Sequence, residues 1–168
     1  MRIIKTVVLL IVSVCVLGCA GHQIDTKAKQ PLRLDLSKPI YVAWADGEYQ
    51  EENKEVQIQF KEALLPYAEQ VFAGTRPLPL NSAFKLAQNL KEGYVIYPQI
   101  TFWQDNNTPW TTKRDRVNVE IVLVDANSMQ VIAKTTLQGK SSSFVFKNDT
   151  PAAILPQLAE AYVNNLYL

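Results

Sequence analysis

The sequence predicts an α/β domain of α+β character: one mixed sheet of four or five strands, about three packed helices, and an antiparallel hairpin near the carboxyl end. Three observations predict it. Short β-branched and aromatic runs alternate with segments of helical period through the first two thirds of the chain, the pattern of a sheet with helices laid on it. "RVNVEIVLVDANSMQVIAKTTLQGKS" then alternates apolar and polar side chains on either side of a turn, which marks a hairpin. A stretch of helical period closes the chain.

Taken in order, "PIYVAWA" (39–45) is the first strand, closed by the turn signal Asp46-Gly47. Val56, Phe60, Ala63, Leu64 and Tyr67 recur at helical spacing within 51–70, and Pro66 is placed to end or kink that helix. "QVFAG" is a short strand. Asn81 is placed to cap "SAFKLAQNLKE", in which Phe84, Ala87 and Leu90 share a face, and Gly93 marks its stop. "YVIYPQITFWQ" (94–104) is a long strand. Pro98 inside it cannot donate to a ladder, which predicts a sheet edge or a bulge at that point. Val117, Val119, Ile121 and Leu123 form one arm of the hairpin, "DANSMQ" its turn, and Val131, Ala133, Thr135 and Leu137 the other arm. "SSFVFKN" is a candidate extension of that pairing. Thr150 caps Pro151 at the start of the last helix, whose stripe is Ile154, Leu158, Ala161, Tyr162 and Leu166; Pro156 splits its first turn from the rest.

The leading residues are of another kind. "MRIIKTVVLLIVSVCVLGCAG" begins with Arg2 and Lys5, continues in an apolar run from Thr6 to Leu17, and ends in Val16-Leu17-Gly18-Cys19. A run of twelve residues is too short to span a bilayer, which takes about 20, and fits the core of a secretory signal. The tetrapeptide resembles the lipobox of bacterial lipoproteins. That resemblance implies cleavage before Cys19 and acylation of its thiol and amine, hence anchoring by two or three chains without a membrane span. Ala20 rather than Asp at the second position resembles the outer-membrane pattern of enteric-type bacteria. The expected organisation is a signal peptide at 1–18, lipidated Cys19 with a flexible tether to residue 37, and one periplasmic domain over 38–168. Eighteen residues of tether reach roughly 25 Å as a coil and about 60 Å fully extended.

Composition narrows the chemistry. Of 168 residues, 17 are basic and 16 acidic; losing Arg2 and Lys5 with the signal leaves 15 against 16. This near-neutral balance lacks the footprint of a nucleic-acid binder. The only histidine is His22, and the two cysteines are Cys15, in the signal, and Cys19. The domain therefore has no disulfide, no His- or Cys-based metal site and no Ser-His or Cys-His nucleophile. No cofactor motif is present. Gly139-Lys140-Ser141 lacks the upstream glycine of a phosphate loop, since residue 134 is Lys. Carboxylate pairs remain for a glycoside hydrolase, Asp105 with Glu120 or Asp46 with Glu48, and these need separations of about 5–9.5 Å. Capping and solvation are the simpler roles for them, and the expectation is a protein that is not an enzyme.

"YPQITFWQDNNTPW", "DRVNVEIVLVDA", "LQGKSSSF", the first strand followed by "DGEY", and the closing "NDTPAAILPQLAEAYVNNLY" together resemble a family of bacterial lipoproteins defined by domain of unknown function 4823, over about Ile40 to Tyr167. The resemblance implies fold and localisation and brings no activity. The order of elements also resembles the amino-terminal domain of TolB-like and curli-assembly lipoproteins, which are envelope interaction modules.

Aromatic and basic side chains are the remaining candidates for function. Trp44 and Tyr49 lie near the end of the first strand. Trp103 and Trp110 bracket "QDNNTP", and Arg114 and Arg116 flank Asp115. Trp, Tyr and Arg dominate interface hot spots, so these six residues are candidates for contact with an envelope protein. A second reading places a small molecule or glycan in an aromatic pocket between Trp44 and Trp103. Packing at the core rim is the alternative for the indoles, and surface ion pairing for the arginines.

Overall fold

The computed structural model describes residues 21–28, 32–35, 37–90, 92–106, 113–141 and 150–167. Its elements are β1 (Gly21–Ala28), β2 (Ile40–Ala45), α1 (Gln50–Leu64), β3 (Val71–Leu78), α2 (Leu80–Leu90), β4 (Tyr94–Gln104), β5 (Arg116–Asp125), β6 (Gln130–Lys140), a 3-10 turn (Pro151–Ile154) and α3 (Leu155–Tyr167). They form one mixed sheet in the order β1-β6-β5-β4-β2-β3. β3, β2 and β4 run parallel; β4, β5, β6 and β1 are antiparallel.

The topology follows from handedness. The step from β2 to β3 through α1 and the step from β3 back past β2 to β4 through α2 run in opposite directions. Right-handed crossovers must then lie on opposite faces of the sheet. Accordingly, Val56, Phe60 and Leu64 of α1 pack with Leu158, Tyr162 and Leu166 of α3 on one face, over Ile40, Val42, Ile96, Val119, Ile121 and Leu137. Ala83, Phe84 and Leu90 of α2 pack on the other, over Ala43, Val95, Tyr97, Val122 and Val124. The ring of Phe60 meets that of Tyr162 at 5.5 Å between centroids.

Two amides on α1 hold the parallel half together. Gln57 is buried, and its Nε2 donates to the carbonyls of Val42 and Gly74, both at 2.9 Å. This is where the β2–β3 register shifts, between Val42 and Trp44. Asn53 is fully buried, and its Oδ1 accepts the N–H of Ile100 at 2.7 Å. β2 pairs with β4 only as far as Ile96, so Ile100 has no strand partner on that side.

The same geometry corrects the expectation for Pro98. β4 is a central strand between β2 and β5, and its bulge lies between Ile100 and Phe102. The N–H of Tyr94 points toward β2, donating to Pro39 O at 2.9 Å. Residues 96, 98 and 100 point the same way by alternation. The N–H that proline lacks would therefore face the gap beyond the paired length of β2, and no ladder bond is lost.

Among the described residues the sheet has six strands, not four or five. The extra strand, β1, comes from the stretch read as tether. Gly21 to Ala28 pair residue for residue with Lys140 to Ala133, and Ile24 packs against the core. A polar edge strand with one large apolar residue has too little alternation to be visible in sequence. Leu34 is also buried, ahead of the expected start of the globular body at residue 38. Smaller differences concern helix ends. α1 stops at Leu64, before Pro66, which leaves Tyr67 outside the core stripe and stacked on Tyr167. α2 starts at Leu80, with the carbonyl of Pro79 accepting the N–H groups of Ser82 and Ala83, so Asn81 lies inside the helix. β3 extends to Leu78. Gly93 stops α2 as expected: its φ is +102°, and a Cβ there would collide with the Pro39 carbonyl. "SSFVFKN" lies outside the described residues.

Gln57→Leu leaves two buried carbonyls without a donor and is expected to cost about 2 kcal/mol or more in urea unfolding. Tyr162 has the opposite problem. Its buried hydroxyl has no partner among the described residues, so Tyr162→Phe is expected to raise the unfolding free energy by about 1 kcal/mol. Burial holds the Tyr162 hydroxyl well above the usual phenol range, and burial followed by the nearby Tyr94 pushes Tyr167 up to about 12. In the unfolded chain both titrate near 10. Their contribution to stability is thus complete below pH 10 and is lost above it, for Tyr167 as pH rises through about 12. Urea midpoints should hold steady to about pH 9 and then fall, less steeply in the Tyr162→Phe/Tyr167→Phe variant.

Candidate functional site

Trp44 stands at the carboxyl end of β2, on the face that α1 covers. Its Nε1 donates to the carbonyl of Gln50 at 2.9 Å, and Lys54 Nζ lies 5.1 Å from the ring centroid. The indole thereby closes the amino-terminal turn of α1. Tyr49, just ahead of that helix, packs against the core. Trp103 also packs against the core, at the far end of β4. Continuing the Ile40–Tyr94 register sets Trp44 level with Pro98, so Trp103 stands about five residues further on, roughly 15 Å. The structure does not bring the two indoles together around one pocket. Trp110 lies outside the described residues.

The carboxylate pairs are no better placed. Asp46, Glu48, Asp105 and Glu120 are all exposed. Asp46 Oδ1 accepts the N–H of Gly47 at 2.9 Å, a turn role. Glu120 is in register with Gln99, whereas Asp105 follows Gln104, which is level with Arg116. Four residues of β5, roughly 13 Å, separate them. Among the described residues no three His, Cys, Asp or Glu side chains are grouped to hold a metal ion.

Asp115 closes a loop and does not pair with its flanking arginines. Its carboxylate accepts the N–H of Asn106 at 2.6 Å, and its own N–H donates to Ser141 Oγ at 3.0 Å. Asn106 Nδ2 donates to the carbonyl of Arg114 at 2.8 Å. Arg114 and Arg116 are exposed beyond this clamp, as are Lys113 and Lys140. Arg116 is level with Lys140, and Lys140 with Gly21. Among the described residues, four cations therefore lie where β4, β5, β6 and β1 project past the end of β2. Sequence reading singled out only two of them; the β5–β6 register is what adds Lys140.

Two of the clefts among the described residues lie elsewhere. One, of about 510 Å³, runs between β3 and α2 and is lined by Tyr41, Arg76, Ser82, Lys85 and Asn89 among others. Desolvation raises the phenol of Tyr41, and the Arg76 guanidinium partly offsets it. The other, of about 330 Å³, lies between α1 and α3 and brings Glu62 and Glu160 together with Gln59 and Asn164. These are polar residues on the outer faces of two helices, and nothing in the sequence pairs them before the helices are docked.

Among the described residues β3 ends the sheet, and one side of its main chain has no strand partner there. Phe72 on it is 48% exposed, as is Leu65 at the nearby end of α1. Further along, Pro77 removes a donor from the edge.

A single mixed sheet of six strands with helices on both faces defines an α+β domain. The match to the model of domain of unknown function 4823 covers residues 32–166, and the chain belongs to that family. No curated protein matches. Among solved structures, the PelC dodecamer from Paraburkholderia phytofirmans is similar in fold, with a TM-score of 0.66 at 13% identity, over 87% of this chain and 97% of that one. A point variant of the same dodecamer gives 0.68 at 13% identity, over 87% and 98%. Protein XCC0632 from Xanthomonas campestris, of family DUF330, gives 0.53 at 13% identity, over 81% and 87%.

Asp115→Ala removes a charge-assisted bond from the clamp and is expected to cost about 1–2 kcal/mol in urea unfolding. Arg114→Ala, on the exposed side of the same loop, should change stability by less than about 0.5 kcal/mol.

Proposed function

We propose that the mature chain is a lipid-anchored accessory module of the bacterial envelope, not an enzyme, held by Cys19 on the periplasmic side of the outer membrane and working by protein contact. The observation that carries the contact reading is the free edge of β3 with half-exposed Phe72 upon it. Such an edge is a template for strand addition. The lipobox-like Val16-Leu17-Gly18-Cys19 and Ala20 support the anchor and its destination. None of the described helices is long and apolar enough to cross a membrane. The similar PelC chain forms a dodecamer, so a second copy of this chain is the first candidate for the β3 edge, ahead of another envelope protein. Trp110 remains a second candidate contact.

A photo-crosslinking amino acid at position 72 is expected to capture one discrete partner, either the chain itself or a single envelope protein. Phe72→Asp should abolish the adduct while leaving urea stability within about 0.5 kcal/mol. An absence of adducts from positions 72 and 110, with no phenotype for Phe72→Asp or Trp110→Ala, would overturn the contact reading. Separately, Cys19→Ser should abolish fatty-acid labelling and release the protein from membranes; unchanged membrane association would refute the anchor.

A further inference from the structure

We propose that the basic projecting end of the sheet is a membrane-surface contact, in which Lys113, Arg114, Arg116 and Lys140 face anionic phospholipid headgroups. The proposal rests on the anchor at Cys19 and adds the orientation of the domain.

Position carries the argument. β1 begins at Gly21, level with Lys140, which is itself level with Arg116. Cys19 precedes Gly21 by two residues. Two residues reach at most about 7 Å, so the acylated cysteine is tied directly beside this basic end. An 18-residue tether would have left the domain free to turn any face to the bilayer. A strand that starts at Gly21 removes that freedom.

Charge points the same way. Among the described residues the acids at this end are Asp105 and Asp115, and the carboxylate of Asp115 is engaged by the Asn106 N–H. The strongly acidic stretch Asp46, Glu48, Glu51 and Glu52 follows the end of β2. Ala45 is level with Gln99 in the continued register, so β4 runs on about five residues, roughly 15 Å, past that shoulder. The Debye length is about 8 Å at physiological ionic strength. With the tip on the bilayer, its cations lie within range of the headgroups and the acidic shoulder is screened from them. A cluster of basic residues beside a lipid anchor supplies the second attachment signal that acyl chains use. Phe102 adds an apolar side chain, 39% exposed, on the face that carries Arg116.

The test uses the lipidated mature protein reconstituted into vesicles. Once Cys19 is acylated no other thiol remains, so Gln138→Cys and Ser128→Cys each accept one fluorophore. Position 138 is two residues from Lys140, and position 128 lies in the turn at the opposite end of the hairpin. In vesicles of phosphatidylcholine with phosphatidylglycerol, headgroup-nitroxide lipids are expected to quench the label at 138 at least threefold more than that at 128. Phosphatidylcholine alone, or Lys113→Glu with Arg114→Glu and Arg116→Glu, should reduce that ratio by half or more. Intact mass of the same samples reports acylation of Cys19. An unacylated Cys19 overturns the anchor and this orientation with it. Equal quenching at the two positions with Cys19 acylated overturns the orientation alone and leaves the basic end to an anionic protein or glycan. A ratio indifferent to phosphatidylglycerol overturns the role of the cations.

Discussion

The parallel half of this sheet is incomplete, and the fold depends on two side-chain amides that complete it. β2 is short. Where it shifts against β3 and where it ends against β4, main-chain groups in the core lose their ladder partners. An unpaired buried peptide group costs about 1–3 kcal/mol, and three such groups would consume a large share of a typical domain's stability of about 5–15 kcal/mol. Gln57 donates to two of them and Asn53 accepts from the third. Because the amides are one helical turn apart, a single helix serves both breaks. The same turn of α1 is then fixed in height and rotation over the sheet, and Phe60 and Leu64 are delivered to α3 from that fixed position. Replacing the amides with apolar residues of similar size would fill the space and leave the main chain unserved.

Ending β2 early has a consequence at the surface. β4, β5, β6 and β1 continue past it without α1 or α2 to cover them. The bulge between Ile100 and Phe102 sits at that transition and turns the strand so that Trp103 still reaches the core while Phe102 faces out. The Asp115 clamp then ties the loop between β4 and β5 to the end of β6 through Ser141. Arg116 and Lys140 are thus held level with each other by the β5–β6 register, and the Asp115 clamp fixes the main chain just ahead of them.

Much of this was legible in sequence, and what was missed has identifiable physical causes. The hairpin, β4, α1 and the last helix follow directly from period, because their apolar residues are numerous and face one way. Asn53 and Gln57 were hidden by the same rule: polar residues on a helix read as its solvent face. Yet 53, 57, 60 and 64 fall on one stripe with Val56, and two amides inside an apolar stripe are the available signal that they hold the backbone of something beneath. The β1 sequence holds one large apolar residue, Ile24, so alternation had nothing to register. Pro98 misled because proline reports only a missing N–H. Which way that N–H would have pointed is set by the length of the neighbouring strand, which no local pattern contains. The candidate site fared less well than the fold. Trp44, Trp103 and Asp115 carry out structural tasks, and Lys140 entered only through pairing.

The two edges of the sheet are unequal, and their inequality bears on how an anchored module meets partners. β1 takes the chain from Cys19, the proposed site of acylation, while β3 lies at the other edge, five inter-strand spacings or roughly 24 Å away. With the basic end on the bilayer, the strands stand upright and the β3 edge faces sideways, parallel to the membrane surface. A strand added there must come from a protein held at the same height above the same bilayer. Anchoring confines such encounters to a plane and fixes their orientation, which removes much of the rotational cost of association. A modest edge, with Phe72 as its main apolar contact and Pro77 limiting its length, can then serve. The edge would be too weak to draw the chain into aggregates in free solution and sufficient once neighbours are pre-aligned. On this reading, membrane orientation and edge recognition are two parts of one arrangement, and both derive from where β2 stops and where β1 begins.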